Sequence, residues 1–525
     1  MARRTWTAAC WMRLWSLSPD AFWRGISADL LIRQTNGVLL FVCNDRACTD
    51  NDSRKMKRYE QLANEIADLI RSGVLPAGSR VPSVRNASKT YGVSASTVFE
   101  AYYLLENRGL IRSRPRSGYF VCNQLKQPAP AAQKRRQQTL ASTSVDVSEL
   151  VFSVLGSVRD PAITPLGSAF PSPTLFPMQR LARSMAKATR LMDLRSVVAD
   201  LPPGNRDLRR QIALRYVMEG VSAPMEELVV TSGAMEALNL CLQAVTQPGD
   251  LVAIESPAFY ASLQVLERLQ LKAVEIPVDA GAGMDLDVLE QALGNHPIKA
   301  CWLMSNFQNP VGVTLAEEKK RRLVALLRRH QVPLIEDDVY SELYFSAHAP
   351  KPAKAFDEEG LVMHCGSFSK SLAPGYRIGW TAAGRFAQQV ERLRLMTTIS
   401  ASIPAQAAIA DYLQHGGYDR HLRKLRHNLE VQQNQMLAAI DRYFPSQTRV
   451  TRPDGGYFLW LQLPPAVDSL ALFKLALEQG VSIAPGPIFS ATRQFRNYIR
   501  LNYGHPWGAE FEQAMDVLGR LARSF

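Results

Sequence analysis

Short apolar runs alternating with amphipathic stretches decide what most of this chain can become. Within residues 148–525, LVAIE at 251–255, KACWLMS at 299–305 and PLIEDD at 333–338 read as strands, and each has a helical stretch beside it. Apolar strands joined through helices are covered on both faces, which predicts an α/β domain with a mostly parallel sheet. In open sheets of this kind ligands bind beyond the carboxyl ends of the strands. Polar residues that follow the strand runs are therefore the first candidates for a site.

At 525 residues the chain has room for two or three domains, and its composition shifts mark where they part. Residues 123–147 (NQLKQPAPAAQKRRQQTLASTSVDV) are almost free of large apolar groups and read as a flexible basic linker. Ahead of it, residues 56–122 are compact, basic and helix-rich. Residues 1–55 are unlike the rest, holding Trp6, Trp11, Trp15, Trp23, Cys10, Cys43 and Cys48 with no sustained helical or strand period. We read them as a disordered or non-native leader, with Met56 as the natural start. A formal net charge of +13 favours a polyanionic partner. No apolar run reaches the roughly 18 residues of a membrane-spanning helix, so no membrane partner is expected. The seven cysteines are scattered without a CxxC pair. A cytoplasmic protein without a disulfide framework or metal site is the expectation.

The basic segment carries a pattern suited to duplex DNA. Leu62, Ile66, Leu69 and Ile70 mark one face of a first helix, which Gly73 stops. A second short helix starts at Ser83, Gly92 supplies a turn, and Ser94 caps a third helix over 95–108 with Val98, Ala101, Leu104 and Leu105 inward. LIRSRPRSGYFV at 110–121 reads as two short strands around a turn. A helix fits the major groove, where its first turn presents Ser94, Ser96 and Thr97 to bases and phosphates. Arg80, Arg85, Arg112, Arg114 and Arg116 can neutralise phosphates. A helical subdomain with a solvated basic face would carry the same spacing. The stretch from YEQLANEIADLIRSGVLPAGSRVPSVR through YGVSASTVFEAYYLLENRGLIRSRPRSGYFV also resembles the GntR-family winged helix-turn-helix. That resemblance implies DNA contact by Arg85 and Ser83 of the PSxR motif and by the start of the third helix, with Gly118 at the wing tip. Ala95 and Asn86 depart from the family's usual residues, so operator sequence does not transfer.

Five motifs in the larger segment supply what pyridoxal 5'-phosphate requires: an imine-forming lysine, an acid for the pyridine nitrogen, phosphate donors and a stacking ring. GSFSKSLAPGYRIGW (366–380) places Lys370 among Ser367 and Ser369, with Arg377 seven residues on. LIEDDVYSELY (334–344) puts Asp337 at a strand end, three residues before Tyr340. VVTSGAMEAL (229–238) brings the amides of Gly233, Ala234 and Met235 to a helix N-terminus, where phosphate binds. Phe259 follows the strand at 251–255 as a flat apolar face, and Asn309 lies in the turn NPVG. Singly, each has an ordinary reading as a solvated lysine, an acidic loop, a core aromatic or a turn.

Together they resemble the aminotransferase class I/II domain, PLP-dependent fold type I, from about residue 164 to 504. The resemblance implies a smaller α+β domain beside the main sheet. It makes Lys370 the Schiff-base lysine, Asp337 the pyridinium partner, and Tyr340 and Asn309 the partners of the ring oxygen. Phe259 stacks on the ring, while Gly233, Ala234, Met235, Ser367, Ser369 and Arg377 hold phosphate. In NYIRLNYG (497–504), Arg500 grips a substrate carboxylate. A tyrosine usual in such enzymes is replaced by Ala199.

A GntR-type reader, a linker and this domain, in that order, resemble the MocR-type regulators. That implies a homodimer on an operator in double-stranded DNA, with an amino acid or amine effector sensed by external aldimine formation at Lys370. A working aminotransferase that carries a DNA-binding domain, and a repressor that does not use the cofactor, are the alternative readings.

Overall fold

The structure, a computed structural model, describes residues 31–35, 38–42, 57–71, 74–76, 78–114, 118–122, 143–144, 147–156, 160, 162–193, 195 and 201–525. These form two compact units. One holds the described residues up to Val74 together with Pro82–Leu104, and the other holds Leu75–Val81 and Leu105–Phe525. Most of the 1–55 leader and of the 123–147 linker, together with Ala199, lies outside the described residues.

In the first unit, strands β1 (Leu31–Thr35) and β2 (Val38–Val42) pair as an antiparallel hairpin inside the stretch read as a leader. Helix α1 (Arg58–Arg71) buries Leu62, Ala63, Ile66, Ala67 and Ile70, while Leu69 is only half-buried. Its apolar stripe is therefore rotated slightly from the predicted one. Helix α2 (Val84–Tyr91) is capped by Ser83, whose Oγ accepts the Asn86 amide at 3.3 Å. Gly92 then turns the chain at φ +63°. Helix α3 (Ala95–Asn107) buries Val98, Ala101, Tyr102 and Leu105, and the Tyr102 hydroxyl donates to the Pro82 carbonyl at 2.6 Å. Tyr102 thus takes the inward place expected of Leu104, because its ring packs and its hydroxyl finds a partner.

The predicted wing is a hairpin of β3 (Ile111–Arg114) and β4 (Gly118–Val121). It groups with Leu75–Val81 in the second unit, because Gly78, Val81 and Val121 exchange backbone hydrogen bonds across these segments.

The second unit is built on one large sheet. Its strands are β5 (Thr143–Ser144), β6 (Leu228–Thr231), β7 (Leu251–Ser256), β8 (Lys272–Asp279), β9 (Gly283–Met284), β10 (Ile298–Leu303), β11 (Leu334–Asp337), β12 (Val362–Ser367) and β13 (Gly379–Ala382). They run in the order β5-β8-β7-β10-β11-β12-β13-β6, with β9 paired to β8. The neighbours from β8 to β12 are parallel, whereas β13 is antiparallel to both β12 and β6. Strands β6, β11 and β12 are buried along their whole length, as a sheet covered on both faces requires. Helix α4 (Ser148–Gly156) follows the linker, whose end is pinned where the Val147 and Ser148 amides donate to Glu267 at 3.1 and 3.2 Å. Helices α5 (Ala234–Val245) and α6 (Tyr260–Arg268) follow β6 and β7.

The smaller α+β part is an antiparallel sheet of β14 (Arg449–Val450), β15 (Phe458–Gln462), β16 (Ala484–Pro485) and β17 (Tyr498–Asn502), in the order β14-β15-β17-β16. Among the described residues no helix is long and apolar enough to cross a membrane.

Candidate functional site

Five strand ends bring the cofactor candidates together. Gly233 lies two residues past β6, Phe259 three past β7 and Asn309 six past β10, while Asp337 closes β11 and Lys370 lies three past β12. Parallel strands place these carboxyl ends along one edge of the sheet, where ligands bind in open α/β folds.

The Lys370 amine donates to the Ala169 carbonyl at 2.9 Å and lies 4.2 Å from the centre of the Phe170 ring. Burial, then the guanidiniums of Arg500 and Arg377, push its pKa down to about 7 against the pull of Asp337. A half-buried lysine beside two fixed positive charges is thereby available as a neutral nucleophile near neutral pH. Asp337 is buried, and burial with the neighbouring Asp338 raises its pKa to about 7, opposed by Lys370. Its Oδ1 has no hydrogen-bond partner among the described residues, and neither has Nδ2 of the buried Asn309. Two unpaired buried polar atoms at one site are what a polar ligand would satisfy.

The phosphate candidates are set by close backbone packing. Gly233 begins α5 at φ +90°, and a Cβ there would lie 2.7 Å from Arg377 Nη2. A Cβ on Gly379 would lie 2.7 Å from the Ala234 nitrogen. These glycines let the helix N-terminus, the arginine and β13 close on one another. Arg377 Nη1 donates to Ser369 Oγ at 3.3 Å. Ser367 Oγ is engaged with Ser369 and the Ile378 carbonyl, at 3.0 and 3.1 Å, so it holds Ser369 in place. Phe259 is half-buried at the start of α6, its ring 4.9 Å from that of Tyr260. Tyr340 is buried with its ring edge-on to Tyr457 and Phe458. Arg500, on β17, is fully buried. It donates to Asn309 Oδ1 at 3.0 Å and to the carbonyls of Gly167 and Ser168 at 2.7 and 3.2 Å.

Three features escaped the sequence reading. Residues 164–172 (TPLGSAFPS) cross the site as a strap, signalled only by their Gly, Pro and Ser content. Tyr457, from GGYFLW, donates to the Ala169 carbonyl at 3.1 Å. Beside Asp337, Asp338 Oδ2 is 3.0 Å from His364 Nε2, and His364 Nδ1 is 2.6 Å from the Tyr216 hydroxyl, which also accepts from Trp380 at 3.0 Å. Burial opposes charge on His364, yet the Asp338 carboxylate draws its pKa above the ordinary value. Nothing in the sequence joins Tyr216 to His364, since 148 residues separate them.

On the DNA-reading side, Ser94 Oγ accepts the Thr97 amide at 3.2 Å and lies 2.8 Å from both Ser96 Oγ and Thr97 Oγ1. Ser83 has the matching role for α2. Arg85 is exposed on α2. In the second unit, Arg80 and Arg112 are exposed, and a Cβ on Gly118 (φ +94°) would lie 3.3 Å from Arg80 Nη2. The side chains of Arg114 and Arg116 lie outside the described residues.

Comparison with known proteins agrees with both halves. Residues 177–518 match the family described as aminotransferase class I and II, and residues 58–121 match bacterial regulatory proteins of the gntR family. The uncharacterized HTH-type transcriptional regulator YdcR of Escherichia coli K12 is 48% identical over 468 residues, covering 89% of this chain and 99% of that protein. Aromatic-amino-acid aminotransferase 1 of Thermococcus litoralis is 30% identical, covering 70% of this chain and 88% of that protein. Among solved structures, the multiple substrate aminotransferase from Thermococcus profundus is similar at a TM-score of 0.67 and 27% identity, covering 71% of this chain and 94% of that one. The fold implies pyridoxal 5'-phosphate as cofactor. The unpaired Asp337 and Asn309 atoms and the glycine-lined cradle at Arg377 fit that molecule.

Proposed function

Because the chain belongs to the aminotransferase class I and II family and carries a GntR-family helix-turn-helix ahead of that domain, we propose a regulator that senses an amino compound at Lys370. The chain is a transcription regulator with an aminotransferase-like domain. The finer reading is a cytoplasmic homodimer that holds operator DNA with two readers and alters that grip when an amine reaches the lysine.

When bound, the cofactor supplies an aldehyde carbon that condenses with primary amines. Asp337 would keep a proton on the ring nitrogen, and Tyr340 and Asn309 would donate to the ring oxygen. Phe259 would cover the ring face, and the amides of Gly233, Ala234 and Met235, with Ser369 and Arg377, would hold the phosphate. Arg500 would take a carboxylate of the amino compound with its planar fork. The observation that carries this reading is the Lys370 amine, kept near neutrality beside the unpaired Oδ1 of Asp337.

The test uses the full-length protein loaded with pyridoxal 5'-phosphate and duplex fragments from its own genome. Amino acids and amines are screened for changes in visible absorbance and in DNA affinity together. One compound that moves both is expected. Spectral responses that leave DNA affinity untouched by every compound would sink the sensing reading. The buried Arg500 beside Asn309 favours a second reading, an active aminotransferase with a DNA-binding domain. Steady turnover of an amino donor with a 2-oxo acid, without any amine effect on DNA binding, would decide for it.

A further inference from the structure

The strap at 164–172 is fastened almost entirely to the C-terminal sheet and its loops. The Thr164 amide donates to the Gly480 carbonyl at 2.8 Å, the Asn502 amide to the Leu166 carbonyl at 2.8 Å, and the Ser172 amide to the Gly504 carbonyl at 2.7 Å. Asn502 Nδ2 reaches the carbonyls of Ser168 and Phe170 at 3.0 and 2.8 Å, and Arg500 holds those of Gly167 and Ser168. A Cβ on Gly167 would lie 2.5 Å from the Ile483 backbone, so the strap sits directly against that sheet. Among the described residues, the hydrogen bond from Lys370 to Ala169 is the one that reaches the strap from the main sheet.

A carbonyl oxygen offers two lone pairs, and on Ala169 both are taken, by Tyr457 Oη and Lys370 Nζ. The lysine can make this bond only while its amine is free. We propose that the Ala169 carbonyl, held in place by Tyr457, is the dock for the Lys370 amine each time an effector displaces it, so that the strap tightens when effector arrives. The proposal rests on the sensing reading above. In the displacement, a bond forms from the effector nitrogen to the cofactor's carbon and the bond from the Lys370 nitrogen breaks. The two protons leaving the effector's amine end on the lysine, which departs as a free amine. That amine finds an acceptor 2.9 Å away, in the arrangement seen here. In sequence the strap follows the linker and α4, so it is the first stretch at the site that the chain meets after the DNA reader. Tyr457 is here a positioning residue that keeps the carbonyl aimed when the lysine is engaged.

The test measures amide hydrogen exchange over residues 164–172 in the full-length, cofactor-loaded protein, alongside its visible spectrum. Aminooxyacetate is the probe, because its nucleophilic amine displaces the lysine whatever the natural effector is. Its addition should slow exchange at Leu166, Gly167, Ser168 and Phe170 by about tenfold, the scale of one hydrogen bond acting on local opening. In Lys370→Ala the same addition should leave strap exchange unchanged. Tyr457→Phe should keep the spectral response and lose most of the slowing. A wild-type spectrum that reports displacement while strap exchange stays constant would overturn the dock and leave the sensing reading standing. A spectrum that does not respond would bring down both. Should Tyr457→Phe fail to fold, the Lys370→Ala comparison decides.

Discussion

Arg500 Nη1 donates to Asn309 Oδ1 at 3.0 Å, so a strand of the C-terminal sheet is tied to the loop that leaves the main sheet after β10. The same guanidinium holds two strap carbonyls and faces the Phe458 ring at 4.2 Å. One planar, permanently charged group thus joins three segments at the site. Asn309 Oδ1 accepts from the arginine, while its buried Nδ2 has no hydrogen-bond partner among the described residues.

Arg500→Lys removes the fork while keeping the charge. A single ammonium cannot serve Asn309 and both carbonyls, so we expect a loss of about 2–4 kcal/mol in stability by denaturant unfolding. Titration of the visible band should show that amines bearing a carboxylate lose at least tenfold more affinity than amines without one. Equal losses for both classes would remove Arg500 from carboxylate recognition.

Cofactor capture needs the unprotonated Lys370 amine. With its pKa near 7, the capture rate at fixed cofactor concentration should rise between pH 6 and 8 and then level. An ordinary lysine would keep rising toward about 10.4. Since Arg500 and Arg377 both depress this amine, Arg377→Met should move the inflection upward. Stopped-flow absorbance across a pH series reads both.

Asp337 has a folded-state pKa of about 7, above the ordinary carboxylate value of about 3.9, so the folded protein favours its protonated form. Stability from this group is present at acidic pH and is lost as pH rises through 7. Thermal melts of cofactor-free protein should show that slope, and Asp337→Asn should flatten it. The same change should weaken cofactor retention at least tenfold, because the ring nitrogen loses its anionic partner. A cofactor affinity equal to wild type would refute the pyridinium role.

Gly233→Ala places a methyl group 2.7 Å from Arg377 Nη2 at a backbone conformation that L residues avoid. We expect a stability cost of about 1–2 kcal/mol and a larger loss in cofactor binding, since the helix N-terminus and the arginine must move apart. Equilibrium dialysis against pyridoxal 5'-phosphate checks the second effect.

For the DNA-reading half, Arg85→Ala should abolish operator binding and leave cofactor loading intact, read by mobility shift and absorbance. Ser94→Ala removes the cap of α3 and should cost about 1 kcal/mol there. Wild-type operator affinity should fall by about 0.9 log units per phosphate contact for each log unit of salt. Joint failure of cofactor and operator binding in Arg85→Ala would contradict two separable modules.

Much of this molecule was legible from local pattern. The strand runs at 251–255, 299–305 and 333–338 are β7, β10 and β11 to within about two residues, because apolar runs between turn residues have few other uses. Ser83 and Ser94 announced helix starts through side chains that bond their own chain three residues on. Lys370, Asp337 and Gly233 were readable because each stands at a strand end with a distinct chemical type. The Thr143–Ser144 strand was missed, since a two-residue edge pairing leaves almost no periodic signal. Tyr102 is absent from the predicted inward face of α3, because an aromatic that buries its ring and bonds its hydroxyl looks amphipathic in sequence.

The order of residues alone therefore determined most of the elements and the chemical types at the strand ends, which depend on neighbours within a few positions. Tertiary structure decided which atoms meet: Lys370 with Ala169, 201 residues apart, Arg500 with Asn309, 191 apart, and Tyr216 with His364, 148 apart. The first two follow from how the strap and the C-terminal sheet pack on the main sheet, and the third from the helix Arg206–Met218 lying against β12. Packing over such separations is set by the burial of whole faces, which no short stretch of sequence records.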